Sequence, residues 1–352
     1  MFHLILAACL ASAPTNCGII LLPQGDAATQ QACEAGAARI AQEWLEAHPE
    51  LVGDAPACPA NVDLPAADLQ EVAPGVHVNL GTSLQMEDST DGHIANLGAV
   101  IGRDTVAVID AGVSRAEGQA LYTAIRRITD KPISHLIVTH MHPDHSFGAA
   151  VFAEAGAVVL GHHALPQALE GRGAAYLANL TQLYPPAEWI GTEIVLPDRV
   201  VGDRMQIDLG DRILELRAWP PAHTDNDLTV FDRQTATLFA GDLLFRELTP
   251  VVDGSLRGWL EWLDSDPAAG ARFIVPGHGA VTGSWAEASG PQRIFLEALA
   301  GETRKAIDAG QPMSSAVPEI TKALEPLKKD WASFEATVAR DATVAFQELE
   351  WE

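Results

Sequence analysis

The sequence predicts an α/β protein built from two similar halves, each a run of strands followed by a helix, with a small cysteine-bearing module in front and a helical tail behind. Three observations carry this expectation. Across residues 76–275, apolar runs of strand length alternate with amphipathic stretches of helical period. All four cysteines, Cys9, Cys17, Cys33 and Cys58, fall within the first 58 residues. From Pro291 onward Ala, Leu, Glu and Lys recur in a helical pattern. With 352 residues, of which 47% are hydrophobic, the chain can bury a substantial core as one large domain with appendages or as two domains.

Residues 4–10 are apolar and end near Ala11-Ser12-Ala13, a small-residue pattern like that of a signal-peptide cleavage site. No Lys or Arg precedes the run, and cleavage there would leave three cysteines, so it reads as a strand. Residues 18–22 are its expected hairpin partner, and residues 27–47 a helix. An even number of cysteines in so small a module predicts two disulfides, with three pairings open, and an oxidising compartment, periplasmic or extracellular. No run approaches the roughly 18 apolar residues needed to cross a bilayer. Residues 53–65 are rich in Pro, Ala and Asp without periodicity and read as a linker. The expected organisation is a module at 1–58, a linker at 59–68, a main domain at 69–285 and a helical extension at 286–352.

Strands are expected at 76–80, 94–101 and 105–109, a helix at 116–128, a strand at 133–138, a helix at 145–155 and a strand at 157–160. Residues 171–189 hold Tyr176, Tyr184, Pro185, Pro186 and Trp189. Such a segment either walls a substrate cleft or packs its aromatics inward as a surface helix and loop. Hairpins follow at 205–209 with 212–219, across Gly210-Asp211, and at 228–231 with 237–240. A helix at 255–264 should bury Leu256, Trp259, Leu260 and Leu263, and a last strand at 273–275 leads to His278.

The chemistry concentrates in Thr139-His140-Met141-His142-Pro143-Asp144-His145, directly after the apolar run 133–138. Alternate side chains of an extended segment share a direction, so His140 and His142 can address one metal ion, while a turn begun at Pro143 swings Asp144 and His145 toward a second. A lone histidine would read as an ordinary loop residue; three, with a carboxylate, behind a buried strand do not. Four side chains cannot close two coordination spheres, so distant partners are required. Candidates are His223 in Pro220-Pro221-Ala222-His223-Thr224-Asp225-Asn226, Asp242 in Phe239-Ala240-Gly241-Asp242, and His278 in Val275-Pro276-Gly277-His278-Gly279. Each follows a strand-like run beside a Gly or Pro turn. His162 and His163 read as exposed loop histidines outside this set.

The order HxHxDH, His, Gly-Asp and Pro-Gly-His-Gly, preceded by Val108-Ile109-Asp110-Ala111-Gly112, resembles the metallo-β-lactamase-fold hydrolases over about residues 70 to 285. The resemblance implies a four-layer αββα sandwich, in which strand pairs backed by helices bury both sheet faces. It also implies that His140, His142 and His223 hold one metal, that Asp144, His145 and His278 hold the other, that Asp242 bridges them, and that Asp110 braces the ligand loop. His223-Thr224-Asp225-Asn226 is similar to zinc β-lactamases, although those carry Cys where Asp242 stands. Gly241-Asp242-Leu243-Leu244-Phe245 is similar to glyoxalase II and related thioesterases. The metal set together with a short cysteine-bearing module also resembles the SoxH-like zinc metallohydrolases associated with quinoprotein, PQQ-dependent oxidation systems.

The resemblance implies a dinuclear zinc hydrolase in which a metal-bound hydroxide attacks the carbonyl of a small ester, thioester, lactone or lactam, with Asp144 orienting the water or receiving its proton. Alternatives are a mononuclear iron oxidoreductase like the persulfide dioxygenases and a non-catalytic scaffold within a quinoprotein system. A flavodiiron carrier fits less well, since those proteins place Glu where His142 stands and attach a flavodoxin domain. The 22 basic and 47 acidic residues give a net charge of −25, which argues against nucleic acid as a partner.

Overall fold

The computed structural model describes residues 1–351. The chain opens with β1 (Phe2–Leu10) and β2 (Ala13–Ala27), an antiparallel pair, followed by α1 (Gln30–Ala47) and β3 (Leu51–Gly53) on the other edge of β1. β2 outruns the expected 18–22 because its pairing with β1 continues from Cys9 opposite Cys17 to Phe2 opposite Ala27. The helix accordingly starts late, where the Thr29 hydroxyl accepts from the Ala32 amide. Disulfides join Cys9 to Cys17 and Cys33 to Cys58, one of the three possible pairings. The segment read as a linker does not hang free: Ala57 and Ala60 bridge to Ile5 and Phe2 of β1, and Cys58 is tied to α1.

The first half of the sandwich comprises β4 (Gln70–Ala73), β5 (Val76–Asn79), β6 (Leu97–Ile101), β7 (Val106–Ile109), α2 (Arg115–Ile128), β8 (Ile133–Ile137), α3 (Pro143–Ser146), α4 (Ala149–Glu154), β9 (Val158–His162), α5 (Leu165–Leu183), α6 (Pro186–Trp189) and β10 (Arg199–Val201). Its strands form a seven-stranded sheet in the order β10-β9-β8-β7-β6-β5-β4. The second half comprises β11 (Arg204–Asp208), β12 (Ile213–Ala218), β13 (Leu228–Asp232), β14 (Thr237–Phe245), α7 (Leu256–Asp264) and β15 (Phe273–His278), a five-stranded sheet in sequence order. α8 (Trp285–Asp308), α9 (Met313–Leu324) and α10 (Phe334–Leu349) follow.

The four layers follow from which faces are apolar. Val78, Val100, Ile109 and Ile137 of the first sheet meet Leu214, Leu216, Val230 and Phe239 of the second in an inner core. The outer face of the first sheet packs Val106, Val108 and Leu136 against Leu121, Ile125 and Phe152 of α2 and α4. The outer face of the second packs Leu238, Ala240 and Ile274 against α7 and continues without a break into Phe295, Leu299, Val338 and Phe346 of the C-terminal helices. This is the αββα sandwich.

Several expectations shift locally. The helix expected at 145–155 breaks into α3 and α4 at Gly148, where a Cβ would lie 2.0 Å from the Ala111 carbonyl oxygen. β14 runs on to Phe245, so Asp242 stands within a strand rather than in a turn. α8 starts at Trp285 behind a Ser284 cap and carries Pro291 inside it. α7 buries Trp262 in place of Leu260, which is only partly buried. His162 belongs to β9 and is buried, with Nε2 donating to the Trp219 carbonyl, contrary to the exposed loop position expected of it; His163 is exposed.

The flanking regions are docked through polar contacts as well as apolar ones. Arg115, fully buried, donates to both Glu154 oxygens and to the Leu21 carbonyl, while the Tyr122 hydroxyl and His3 share Asp26. α10 grips the segment before α7. Asp341 accepts from the Val252 amide at 3.0 Å, and Glu348 accepts from the Ser255 hydroxyl and the Leu256 amide at 2.6 and 2.7 Å. Among the described residues no helix is long and apolar enough to cross a membrane.

Candidate metal centre

Strand ends and loops from both sheets deliver seven side chains to one place. His140 follows β8, His142 precedes α3, Asp144 and His145 lie in its first turn, His223 sits between β12 and β13, Asp242 lies in β14 and His278 closes β15. They form two adjacent groups, His140–His142–His223–Asp242 and Asp144–His145–His278, and within each group the ligand-type atoms lie within 4.8 Å of one another. Asp242 stands between the groups: its Oδ2 is 3.7 Å from His140 Nε2, 3.5 Å from His223 Nε2 and 3.3 Å from His278 Nε2, and its Oδ1 is 3.1 Å from His145 Nε2. All seven residues singled out in the sequence therefore meet, and His162 and His163 lie outside both groups.

What surrounds the imidazoles fixes which nitrogen faces inward. His223 Nδ1 donates to the Val251 carbonyl at 2.7 Å and His278 Nδ1 to the Ile94 carbonyl at 2.9 Å. His145 Nδ1 donates to Asp110 at 2.8 Å, and His142 Nε2 to Asp253 at 3.0 Å. Asp110 also takes the Thr139 hydroxyl proton at 2.9 Å, which leaves the Thr139 oxygen to accept from His140 Nδ1 at 3.1 Å. The remaining ring nitrogens then carry bare lone pairs. Two of the resulting contacts, His142 Nδ1 to His140 Nε2 and to His223 Nε2, are 3.0 Å with no proton between them.

Acceptors converging on acceptors in a buried site call for a positive charge at their centre. His145 Nε2 and Asp242 Oδ1 are buried without a hydrogen-bond partner, as ligand atoms aimed at a cation would be. The donor set, imidazole nitrogen and carboxylate oxygen, suits zinc and neighbouring transition metals. Without an ion the same demand falls on protons. Burial keeps His140 far below its usual value and His223 down at about 3, so both stay neutral. Burial opposes charge on His145 too, but Asp242, Asp144 and Asp110 outweigh it and hold that imidazole well above its usual value. For Asp242, burial would raise the carboxyl, yet His278, His145 and His140 keep it far below the ordinary range.

Backbone geometry makes room for this. A Cβ on Gly277 would stand 1.9 Å from Asp242 Oδ1, and Gly241, at φ +53°, would press one against Thr139. Asp110 adopts φ 59°, a left-handed conformation held in place by its contacts with Thr139 and His145.

Sequence reasoning placed Asp110 but missed Asp253, Thr139 and the carbonyls of Val251 and Ile94. Asp253 stands in Val251-Val252-Asp253-Gly254, an apolar pair followed by an Asp-Gly turn, the same kind of signal that drew attention to Gly241-Asp242. Beside the cluster lies a cavity of about 200 Å³. α5 contributes Arg172 and Tyr176 to one wall, so the aromatic segment does face the cleft there, while Tyr184 packs inward. α10 contributes Arg340 and Val344 to another.

The sequence pattern of the metallo-beta-lactamase superfamily matches residues 90–278, more than half of the chain, and the protein belongs to that superfamily. No curated protein matches it. Among solved structures, the chain is similar to TMB-1 (TM-score 0.51, 17% identity, 66% of this chain and 98% of that one) and to a metallo-beta-lactamase from Pontibacter korlensis (0.53, 17%, 65% and 98%). It is also similar to Pisa1, a stereoselective inverting sec-alkylsulfatase from Pseudomonas sp., with TM-score 0.62 and 17% identity over 80% of this chain. The chain spans half the length of that sulfatase. At such identities these likenesses bear on the fold alone.

Proposed function

We propose that the protein is a dinuclear zinc hydrolase acting on the carbonyl of a small ester, thioester, lactone or lactam. The observation that carries this reading is the convergence of ring nitrogens whose outer hydrogen bonds leave only lone pairs facing inward, in two groups that share Asp242. His140, His142 and His223 would hold one ion, Asp144, His145 and His278 the other, with Asp242 between them. When bound, the ions would supply an acidified water and polarise the carbonyl. Asp144, whose Oδ2 is 3.4 Å from both His145 Nε2 and His278 Nε2 and which lines the cavity, orients the attacking water and takes its proton. Phe245, Leu248 and Val252 line the same cavity and exclude bulk water from it.

The test is metal analysis of the purified protein followed by a hydrolysis screen with thioester, lactone, ester and β-lactam substrates. Two zinc ions and turnover of one class are expected. A single iron with oxygen consumption would establish the oxidoreductase reading instead, and a fully loaded protein inert to every class would favour the scaffold.

The two disulfides support placement in an oxidising compartment, periplasmic or extracellular, which cell fractionation would check. Association with a PQQ-dependent oxidation system is proposed on sequence resemblance alone, and co-purification with such a dehydrogenase tests it.

A further inference from the structure

The cavity beside the metal ligands carries a feature that neither the metals nor the ligand loops account for. Two helices from different parts of the chain, α5 and α10, place hydrogen-bond donors across it. On α5, the Tyr176 hydroxyl is buried and has no hydrogen-bond partner. A phenol keeps its proton at neutral pH, so this hydroxyl can donate. On α10, Arg340 lines the same cavity, and its charge acts on the Tyr176 phenol.

The other cation of the wall, Arg172, is already committed: it donates to Asp253 at 2.6 Å and lies over the Tyr176 ring with its guanidinium carbon 5.0 Å from the centroid. Among the described residues no ion pair engages Arg340. An exposed guanidinium outside any ion pair and a buried, unsatisfied hydroxyl on the walls of one cavity are unusual on a chain of net charge −25, whose overall field repels anions. A small oxyanion would satisfy both donors at once, through the planar fork of the guanidinium and the hydroxyl.

We propose that Arg340 and the Tyr176 hydroxyl form a subsite for a small oxyanion, a carboxylate or a sulfate, carried by the substrate next to the bond that is cleaved. This rests on the hydrolase reading for its place in a reaction, but the binding it asserts is measurable without turnover. The neutral part of the substrate lies toward Val344 and Val252, and the anion anchors the molecule so that its reactive group faces Asp144 and Asp242. Arg340 lies on the C-terminal extension, outside the residues 90–278 matched by the superfamily pattern, whereas Tyr176 lies within them, so the subsite joins a residue of the matched region to one of the tail.

The experiment is calorimetric binding to the zinc-loaded full chain of 4-acetamidobutyrate, of its uncharged methylamide and of butane-1-sulfonate, a non-hydrolysable stand-in for an alkyl sulfate; none of the three offers an ester or thioester to cleave. At least one anion should bind about tenfold or more tightly than the methylamide, the factor that one charge-assisted contact confers. Arg340→Gln, a change at an exposed position, should abolish that preference, Arg340→Lys should restore part of it, and Tyr176→Phe should weaken the anion while leaving the methylamide unchanged. The carboxylate and sulfonate arms identify whether a carboxylate or a sulfate-like oxyanion is preferred. Equal binding of all three ligands, or a preference that survives Arg340→Gln because the metals alone hold the anion, would overturn the proposal. Should the hydrolysis screen fail while Arg340-dependent anion binding persists, the reaction assignment falls and the subsite stands.

Discussion

Replacing Asp253 with Ala isolates one of the two groups, because this carboxylate touches no proposed ligand but His142. Its Oδ2 accepts from His142 Nε2 at 3.0 Å and from Arg172 Nη1 at 2.6 Å. The Arg172 side chain is 44% exposed, so that ion pair contributes under about 1 kcal/mol. The His142 side chain is 15% exposed, and its bond to a carboxylate contributes about 1.5–2.5 kcal/mol by fixing the tautomer that presents Nδ1. That converts to a loss of roughly 10- to 70-fold in affinity for the ion held by His140, His142 and His223. Burial alone would raise the Asp253 carboxyl, but the His142 and Arg172 contacts hold it well below its ordinary value of 3.8. A depressed carboxyl contributes stability above the unfolded value and loses it as pH falls through the folded one, so the variant should differ most from the wild type above about pH 4. The assay is zinc titration against a competing chromophoric chelator at pH 7, with the two sites resolved. Asp253→Ala should weaken one site and leave the other within about twofold, and Asp253→Asn, which keeps an acceptor, should lose less. Equal loss at both sites, or none at either, would refute the reasoning.

Three further outcomes follow from the same geometry. Asp242→Ala should lower occupancy of the second ion and cut turnover by at least about a hundredfold with the far-UV spectrum unchanged; full metal content at an unchanged rate would show that Asp242 does not join the groups. Gly277→Ala places a Cβ where Asp242 Oδ1 stands, so it should cost about 1–3 kcal/mol in thermal unfolding and reduce bound metal, whereas wild-type values in both would mean the contact relaxes freely. Asp341 is fully buried against the Val252 amide, with Arg340 and Asp253 as its charged neighbours, and burial pushes it up to about 8. The native state therefore holds a proton that the unfolded chain releases above 3.8, and stability falls as pH rises across that window. Asp341→Asn should gain on the wild type in melting temperature from pH 5 to pH 8.5, and a constant difference would contradict the assignment.

The site was legible in the sequence to the extent that its chemistry is written in residue types at short spacing. Thr139 to His145 supplies three imidazoles and a carboxylate from one loop, and β8 before it carries Ile133, Leu136 and Ile137, so the need for distant partners could be argued before any partner was located. His223, Asp242 and His278 were found because a Gly or Pro turn follows a buried run at each. The supports were not legible in the same way. Carbonyls of Val251 and Ile94 orient two histidines, yet any residue can provide a carbonyl, so no side chain announces that role. Asp253 was passed over because a single acid before Gly reads as a turn.

The C-terminal helices show a second limit. Their amphipathic pattern reveals that they pack, but nothing in it says that Asp341 and Glu348 reach the segment 252–256 or that Arg340 reaches the cavity. Likewise a run of Pro, Ala and Asp reads as flexible, and Cys58 together with the bridges to β1 overrides that composition.

Anomalous scattering from a zinc-soaked crystal, measured on both sides of the zinc absorption edge, tests the central claim most directly. Two peaks are expected, one among His140, His142 and His223 and one among Asp144, His145 and His278, with Asp242 in contact with both. A single peak, or peaks away from these seven side chains, would contradict the account.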